Sequence, residues 1–216
     1  MSGTTLYVVR HGRSLGNDQR FFQGRRDLPL CEAGLRQAAA ASEHLRGIAF
    51  DIACTSPLSR ARRTAEIILA GRSVPLLEDE RLTEMDVGLW GGHPFSWIVQ
   101  NDPEGARRWN ETPDEHVFPG GESMAQAYDR INRAADEIAE RNPGKTVLMV
   151  THGGVLRCLW ARITTGCLRA VRSGAVFANC SVSVFTFENG SWKADAVNDV
   201  SFMPEELLAD RLQYHL

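Results

Sequence analysis

The sequence predicts a three-layer α/β/α sandwich on a mostly parallel central sheet with an antiparallel edge strand, and three observations predict it. Short apolar runs bounded by turn residues alternate with amphipathic helical patterns through most of the chain, as expected for strands covered on both faces by helices. The last two strand-like runs are separated only by Glu188-Asn189-Gly190, a hairpin signal that makes their pairing antiparallel. At 216 residues, 43% hydrophobic and 24% charged, the chain has ordinary globular composition and enough length for one sizeable core.

The first strand is Thr4–Arg10, with the apolar run Leu6-Tyr7-Val8-Val9. It delivers Arg10-His11 to the sheet edge, and Gly12 lets the backbone turn so that His11 stands at the mouth of a cleft. A helix over Glu32–Arg46, a strand over Phe50–Thr55 and a helix over Pro57–Ala70 follow. Between Gly91 and Gly121 the texture changes to prolines (Pro94, Pro103, Pro113, Pro119), many charges and nearby Trp90, Trp97 and Trp109. This stretch reads as an insertion or cap with room for short helices. In Ser123–Glu140, Met124, Ala127, Ile131, Ala134, Ala135 and Ile138 recur at helical spacing while Arg130, Arg133 and Glu137 take other faces. A strand over Lys145–Thr151, a helix over Gly154–Ile163 and the hairpin strands Cys180–Phe187 and Ser191–Val197 complete the chain. No repeat or low-complexity linker divides it, so residues 1–216 are expected to form a single domain with the cap at about 91–121.

A formal net charge of −3 argues against broad nucleic-acid binding. Five cysteines without short paired spacing give neither a disulfide framework nor a zinc site. The N-terminus has no basic segment followed by an apolar core, and no run reaches the roughly 18 apolar residues of a membrane span. The expectation is a reduced, cytoplasmic protein with no membrane or nucleic-acid partner.

A lone histidine at a strand end is commonly structural, so the interest of His11 depends on its company. Thr151-His152-Gly153-Gly154 repeats the arrangement of apolar strand, histidine and glycine, which brings two histidines to one edge of a parallel sheet, where ligands bind. Ser56-Pro57-Leu58-Ser59-Arg60-Ala61 sets Arg60 in the first turn of a helix, a position that favours anions and adds a forked donor for phosphate oxygens. Leu82-Thr83-Glu84 offers a carboxyl to the same cleft, either as a proton donor to a departing alkoxide or as an ordinary solvated loop residue.

These segments, with Asn17, Gln23-Gly24, Asp27-Leu28-Pro29-Leu30, Gly34-Leu35-Arg36-Gln37-Ala38, Arg63-Thr64-Ala65, Gly88-Leu89-Trp90 and Pro119-Gly120-Gly121-Glu122-Ser123, occur in the order of the histidine phosphatase superfamily. Over roughly residues 4–190 the chain resembles the branch containing cofactor-dependent phosphoglycerate mutase and small phosphatases. The resemblance implies that His11 attacks phosphorus and becomes a phosphohistidine, with Arg10, Arg60 and His152 holding the phosphoryl oxygens. It implies accessory phosphate contacts from Asn17, Gln23, Gly24 and Gly153, and makes Glu84 the proton donor. It implies no metal and no cofactor, except 2,3-bisphosphoglycerate as priming donor if the chain is a mutase. The partner is then a small phosphorylated metabolite or inorganic phosphate. Related proteins include dimers, so a homodimer is one assembly the resemblance allows.

The leading expectation is a phosphatase of small phosphorylated metabolites, with phosphoglycerate mutase as the alternative. The carboxylate-gripping Glu-Arg-Arg-Tyr segment of true mutases corresponds here to Glu104-Gly105-Ala106-Arg107-Arg108-Trp109 in a short insertion. A non-catalytic phosphate sensor on the same fold is disfavoured because every matching position is kept. A zinc hydrolase on His11, His152 and Glu84 would set Arg10 and Arg60 beside a dication. Cys31 stands where a threonine usually caps a helix, a weaker start by about 0.5–2 kcal/mol. Arg13, Arg25 and Arg26 are either solvated surface or contacts for a second substrate anion. Phe21, Phe22, Trp90, Trp97 and Phe118 either shape the leaving-group pocket or pack loops. His44, His93, His116 and His215 are expected at the surface.

Overall fold

The computed structural model describes residues 3–173 and 175–208; His215 lies outside the described residues. A six-stranded sheet in the order β3-β2-β4-β1-β5-β6 forms its centre. Its members are β1 (Thr4–Arg10), β2 (Ile52–Thr55), β3 (Leu76–Glu78), β4 (Thr146–Thr151), β5 (Val182–Glu188) and β6 (Ser191–Asp199). β1, β2, β3 and β4 run parallel, β5 pairs antiparallel with β1, and β6 pairs antiparallel with β5. The antiparallel side is therefore two strands deep, with β6 as the edge.

Side-chain alternation divides the core between two faces. Leu6 and Val8 of β1 and Val147 and Met149 of β4 pack with α6 (Met124–Glu140) and α7 (Gly153–Thr165) on one face. Val9, Leu148 and Val150 pack with α2 (Glu32–His44) and α3 (Ser59–Ile68) on the other. Cys31 does stand at the N-cap of α2 and makes no side-chain cap bond. α6 starts on a capping box between Ser123 and Gln126, and α7 stops at Gly166 in the left-handed region.

The structure adds two elements that sequence pattern does not predict. β3 is three residues on a parallel edge, too short to show a period. The four-residue α1 (Leu15–Asp18) is built by a capping box in which Ser14 and Asn17 satisfy each other's backbone. Within 91–121 the short helices are α4 (Phe95–Asn101) and α5 (Pro103–Glu111), the latter capped by Asp102 with proline at its start.

Gly12 acts differently from the expected sharp turn. It does not have positive φ; a Cβ there would lie 2.5 Å from the Gly34 carbonyl oxygen, and one on Gly34 would lie 2.0 Å from that of Arg13. The glycines permit the backbone after His11 to pack directly on α2, so the requirement is close approach.

Candidate active site

Strand register sets the two histidines side by side. Arg10 of β1 faces Thr151 of β4 in a parallel pair, so the next residues, His11 and His152, leave adjacent strands at the same level. Their ring centroids are 5.1 Å apart, close to one interstrand spacing. β2 flanks β4 on the other side, which brings Ser56 and the start of α3 to the same edge. A cavity of about 430 Å³ opens there, lined by Arg10, His11, Asn17, Gln23, Gly24, Arg60, Glu84 and Gly153 among others. His152 is fully buried, with its ring beside that of His11 at the cavity floor. His11 is 2% exposed, so it forms the floor of the cleft instead of standing at its mouth.

Hydrogen bonds fix the imidazoles. His11 Nδ1 lies 2.7 Å from the Gly12 carbonyl oxygen; a carbonyl only accepts, so Nδ1 carries the proton and Nε2 the lone pair. His152 Nε2 lies 2.8 Å from Ser56 Oγ. That hydroxyl oxygen also accepts from Leu58 N at 3.3 Å; when it gives its own hydrogen to Nε2, the His152 proton stands on Nδ1. His152 Nδ1 is buried without a protein partner. Burial first, then the Arg60 and Arg10 charges, holds both imidazoles well below their ordinary pKa and hence neutral.

Arg60 is held by backbone: Nη1 donates to Arg26 O and Nη2 to Gly24 O, each at 2.8 Å. Its buried Nε has no acceptor among the described residues. Burial lowers its pKa to about 10, which leaves it charged at neutral pH. The loop bearing Gly24 is tied to α3 by Asp27 Oδ1, which accepts from Ser59 N at 2.8 Å. Arg10 Nη1 donates to Phe177 O. Ser14 Oγ lies 2.8 Å from Gln23 Oε1 and 2.9 Å from Asn17 Oδ1, which turns the Gln23 carbonyl away and leaves its NH₂ as a donor.

Glu84 is positioned from both sides. Its Oε1 accepts from Met85 N at 3.0 Å and Oε2 from Gly154 N at 3.3 Å, at the start of α7. Arg130 Nη1 donates to Arg81 O at 2.7 Å and Thr83 O at 3.2 Å, and Nη2 to Glu122 Oε1 at 2.6 Å. Glu122 Oε1 also accepts from Asp86 N at 2.8 Å. The Arg130–Glu122 pair thereby clamps the backbone on either side of Glu84-Met85.

Several expectations change. Phe21 and Phe22 line the cavity, joined by Phe95, Trp109 and Phe177. Trp90 and Phe118 are buried in the core instead, and Trp97 stacks on His93 at 3.7 Å away from the lining. Arg13 pairs with Asp18, Arg25 lies 3.8 Å from Asp86 and 3.6 Å from Glu122, and Arg26 is exposed; none lines the cavity. Arg107 and Arg108 are exposed and bound to Glu104, with Arg107 also bound to Glu111.

His116 is buried, contrary to the expected surface position, at 1% exposure against Trp90, Trp109 and Phe118. Neither ring nitrogen has a partner among the described residues. Burial lowers its pKa from 6.5 to about 4, with Asp102 opposing and Arg108 reinforcing the shift. The unfolded chain then binds the proton more tightly, so the stability from neutral His116 is full above about pH 6.5 and is lost as pH falls toward about 4. His116→Phe should show a smaller drop in Tm from about pH 7 to about pH 4.5 than the wild type; an equal drop in both proteins would exclude this contribution.

Ser14, Ser56, Glu122, Arg130, Asn179 and Arg157 were not identified as site or supporting residues from sequence. Asn179 Nδ2 donates to His11 O at 2.9 Å. Ser56 and Glu122 lay inside the quoted motifs, whereas Asn179 and Arg157 lay in no motif. Among the described residues no group of three or more His, Cys, Asp or Glu side chains is placed to hold a metal ion, and no helix is long and apolar enough to cross a membrane.

Residues 6–200 match the family model described as histidine phosphatase superfamily (branch 1). The chain is 34% identical over 215 residues to a protein named probable phosphoglycerate mutase GpmB from Cronobacter sakazakii, covering 96% of this chain and 98% of that protein. It is 32% identical over 158 residues to phosphoserine phosphatase 1 of Hydrogenobacter thermophilus, covering 73% and 75%. Among solved structures, Bacillus stearothermophilus YhfR superposes with a TM-score of 0.89 at 34% identity, over 93% of this chain and all of that one. Two strand-end histidines, two arginines at their edge and a match running nearly the length of the chain agree, and the chain belongs to branch 1 of the histidine phosphatase superfamily.

Proposed function

We propose that the chain is a phosphatase that hydrolyses small phosphomonoesters through a phosphohistidine on His11. The observation that carries this reading is the His11 tautomer: Nδ1 is committed to the Gly12 carbonyl at 2.7 Å, so a neutral imidazole offers its Nε2 lone pair beside Arg10 and Arg60. In the first step Nε2 attacks phosphorus as the ester P–O bond breaks, and Glu84 gives its proton to the leaving oxygen. Arg10, Arg60 Nε–H and His152 Nδ1–H meet the charge on the equatorial oxygens. Asn17, the Gln23 amide, Gly24 and the Gly153 N–H support the same group. In the second step the Glu84 carboxylate takes a proton from water, which attacks the phosphohistidine and releases phosphate.

A second reading, phosphoglycerate mutase, has specific support: the relatives matching over 96% of this chain carry that name, which favours it over the ranking drawn from sequence. It shares the phosphohistidine and differs in the acceptor. Supporting hydrolysis, Arg107 and Arg108 are bound by Glu104 outside the cavity, and the wall beyond the phosphate contacts is largely apolar, with Phe21, Phe22, Phe95, Trp109 and Phe177. The test follows 3-phosphoglycerate with and without 2,3-bisphosphoglycerate. Phosphate release faster than 2-phosphoglycerate formation supports the phosphatase, and isomerisation far above hydrolysis replaces it with the mutase.

A further inference from the structure

α7 presents an ordered stripe to the cavity. A Cβ on Gly153 would lie 3.3 Å from Arg10 Nε, and one on Gly154 would lie 2.6 Å from Glu84 Oε1. Arg157 follows three residues after Gly154 on the same helix and also lines the cavity. At 1.5 Å rise per residue it stands about 4–5 Å farther along the helix than Gly154, which faces the Glu84 carboxyl. The phosphoryl cations, the proton donor and Arg157 thus succeed one another along one helix face.

Arg157, like Arg72, is held by backbone carbonyl and aromatic ring, but Arg157 lines the cavity and Arg72 does not. Nε donates to Val171 O at 2.7 Å and Nη2 to the same carbonyl, while the guanidinium carbon lies 5.9 Å from the centre of the Trp109 ring. No carboxylate pairs with it, and Nη1 has no acceptor, among the described residues. Arg107, Arg130 and Arg172, in contrast, all pair with carboxylates. Phe95, Trp109, Ala175 and Phe177 line the same cavity, and burial pushes the Arg157 pKa down. A cation in such a place, already fixed in direction by one carbonyl, gains most from an anion supplied by the ligand.

We propose that Arg157 is the receptor for a carboxylate on the leaving group, so that the preferred substrates are phosphomonoesters of small hydroxycarboxylic acids. The proposal rests on the phosphatase reading above. With Nε–H and one Nη2–H given to Val171 O, both Nη1–H groups and the second Nη2–H remain for a carboxylate, and the aromatic side chains of the wall suit a short carbon frame between carboxylate and ester. This second anion site stands apart from Arg107 and Arg108, which α5 turns to solvent.

The test compares kcat/KM for 3-phosphoglycerate with that for glycerol 3-phosphate, which replaces the carboxylate by a hydroxymethyl group. The wild type should prefer the carboxylate substrate by about tenfold or more, mainly through KM. Arg157→Gln should reduce that preference by about tenfold, and Arg157→Lys should restore part of it. The ratio is the readout because loss of the Val171 contact lowers both values together. A wild-type ratio near one, or a ratio unchanged in Arg157→Gln, overturns the proposal. p-Nitrophenyl phosphate separates the two levels: if the wild type hydrolyses it without preferring the carboxylate substrate, only the Arg157 assignment fails. If it hydrolyses none of the three, the phosphatase reading fails as well.

Discussion

His11→Ala is expected to lower kcat by about 10⁴-fold or more, equivalent to at least about 5.5 kcal/mol of transition-state stabilisation. The loss is large because Arg10 and Arg60 can still hold a phosphoryl group but nothing beside them offers a comparable lone pair. His152 is 5.1 Å away between ring centroids, fully buried, with Nε2 turned to Ser56. The wild type quenched during turnover of a labelled ester should carry acid-labile, base-stable phosphate, and His11→Ala should carry none. His11→Asn, which keeps a polar group near the Gly12 carbonyl, guards against loss of fold and should be equally unlabelled. Retention of more than about 1% of wild-type kcat by both variants, with their folds intact, would sink the nucleophile assignment.

What the sequence made legible was whatever rests on local order. The strand-histidine-glycine units at His11 and His152 could be placed together because both follow apolar runs that parallel pairing aligns, and the register Arg10 to Thr151 does this. Arg60 in the first turn of α3 follows from its place after β2. Long-range close approach was not legible. Gly12 resembled a turn residue, and only α2 packed against it explains its lack of a side chain. His116 resembled a surface residue because Asp114 and Glu115 precede it in a proline-rich stretch; Phe118 is near in sequence, but the Trp90 and Trp109 rings that complete its burial come from other segments. The clamp on the acid loop joins Arg130 to Thr83 and Glu122, residues 47 and 8 positions away. Helical periodicity assigned Arg130 to an outer face with no view of that pairing. The aromatic wall shows the same limit, since Phe95 and Trp109 differ from Trp97 only in the direction that α4 and α5 turn them.

The second large effect concerns Glu84, and its size should depend on the substrate. Glu84→Gln keeps an oxygen that can accept from Met85 N or Gly154 N, so the loop held by Arg130 and Glu122 should stay in place while the transferable proton is lost. For an alkyl phosphate the departing alkoxide is strongly basic and needs that proton, so kcat should fall by about 10²–10⁴-fold. p-Nitrophenolate is a far weaker base and leaves without help, so phosphorylation of His11 by p-nitrophenyl phosphate should be slowed much less. Hydrolysis of the phosphohistidine still needs a base for the attacking water, however, and that step should slow in the variant whatever the substrate. Glu84→Gln should therefore give a burst of p-nitrophenolate near one equivalent per active site, followed by slow turnover with labelled phosphoenzyme accumulating. The wild type should show no comparable accumulation. Equal losses for alkyl and p-nitrophenyl esters without a burst would mean that Glu84 orders the site instead of moving protons. In that case the acid must be sought elsewhere along the cavity wall.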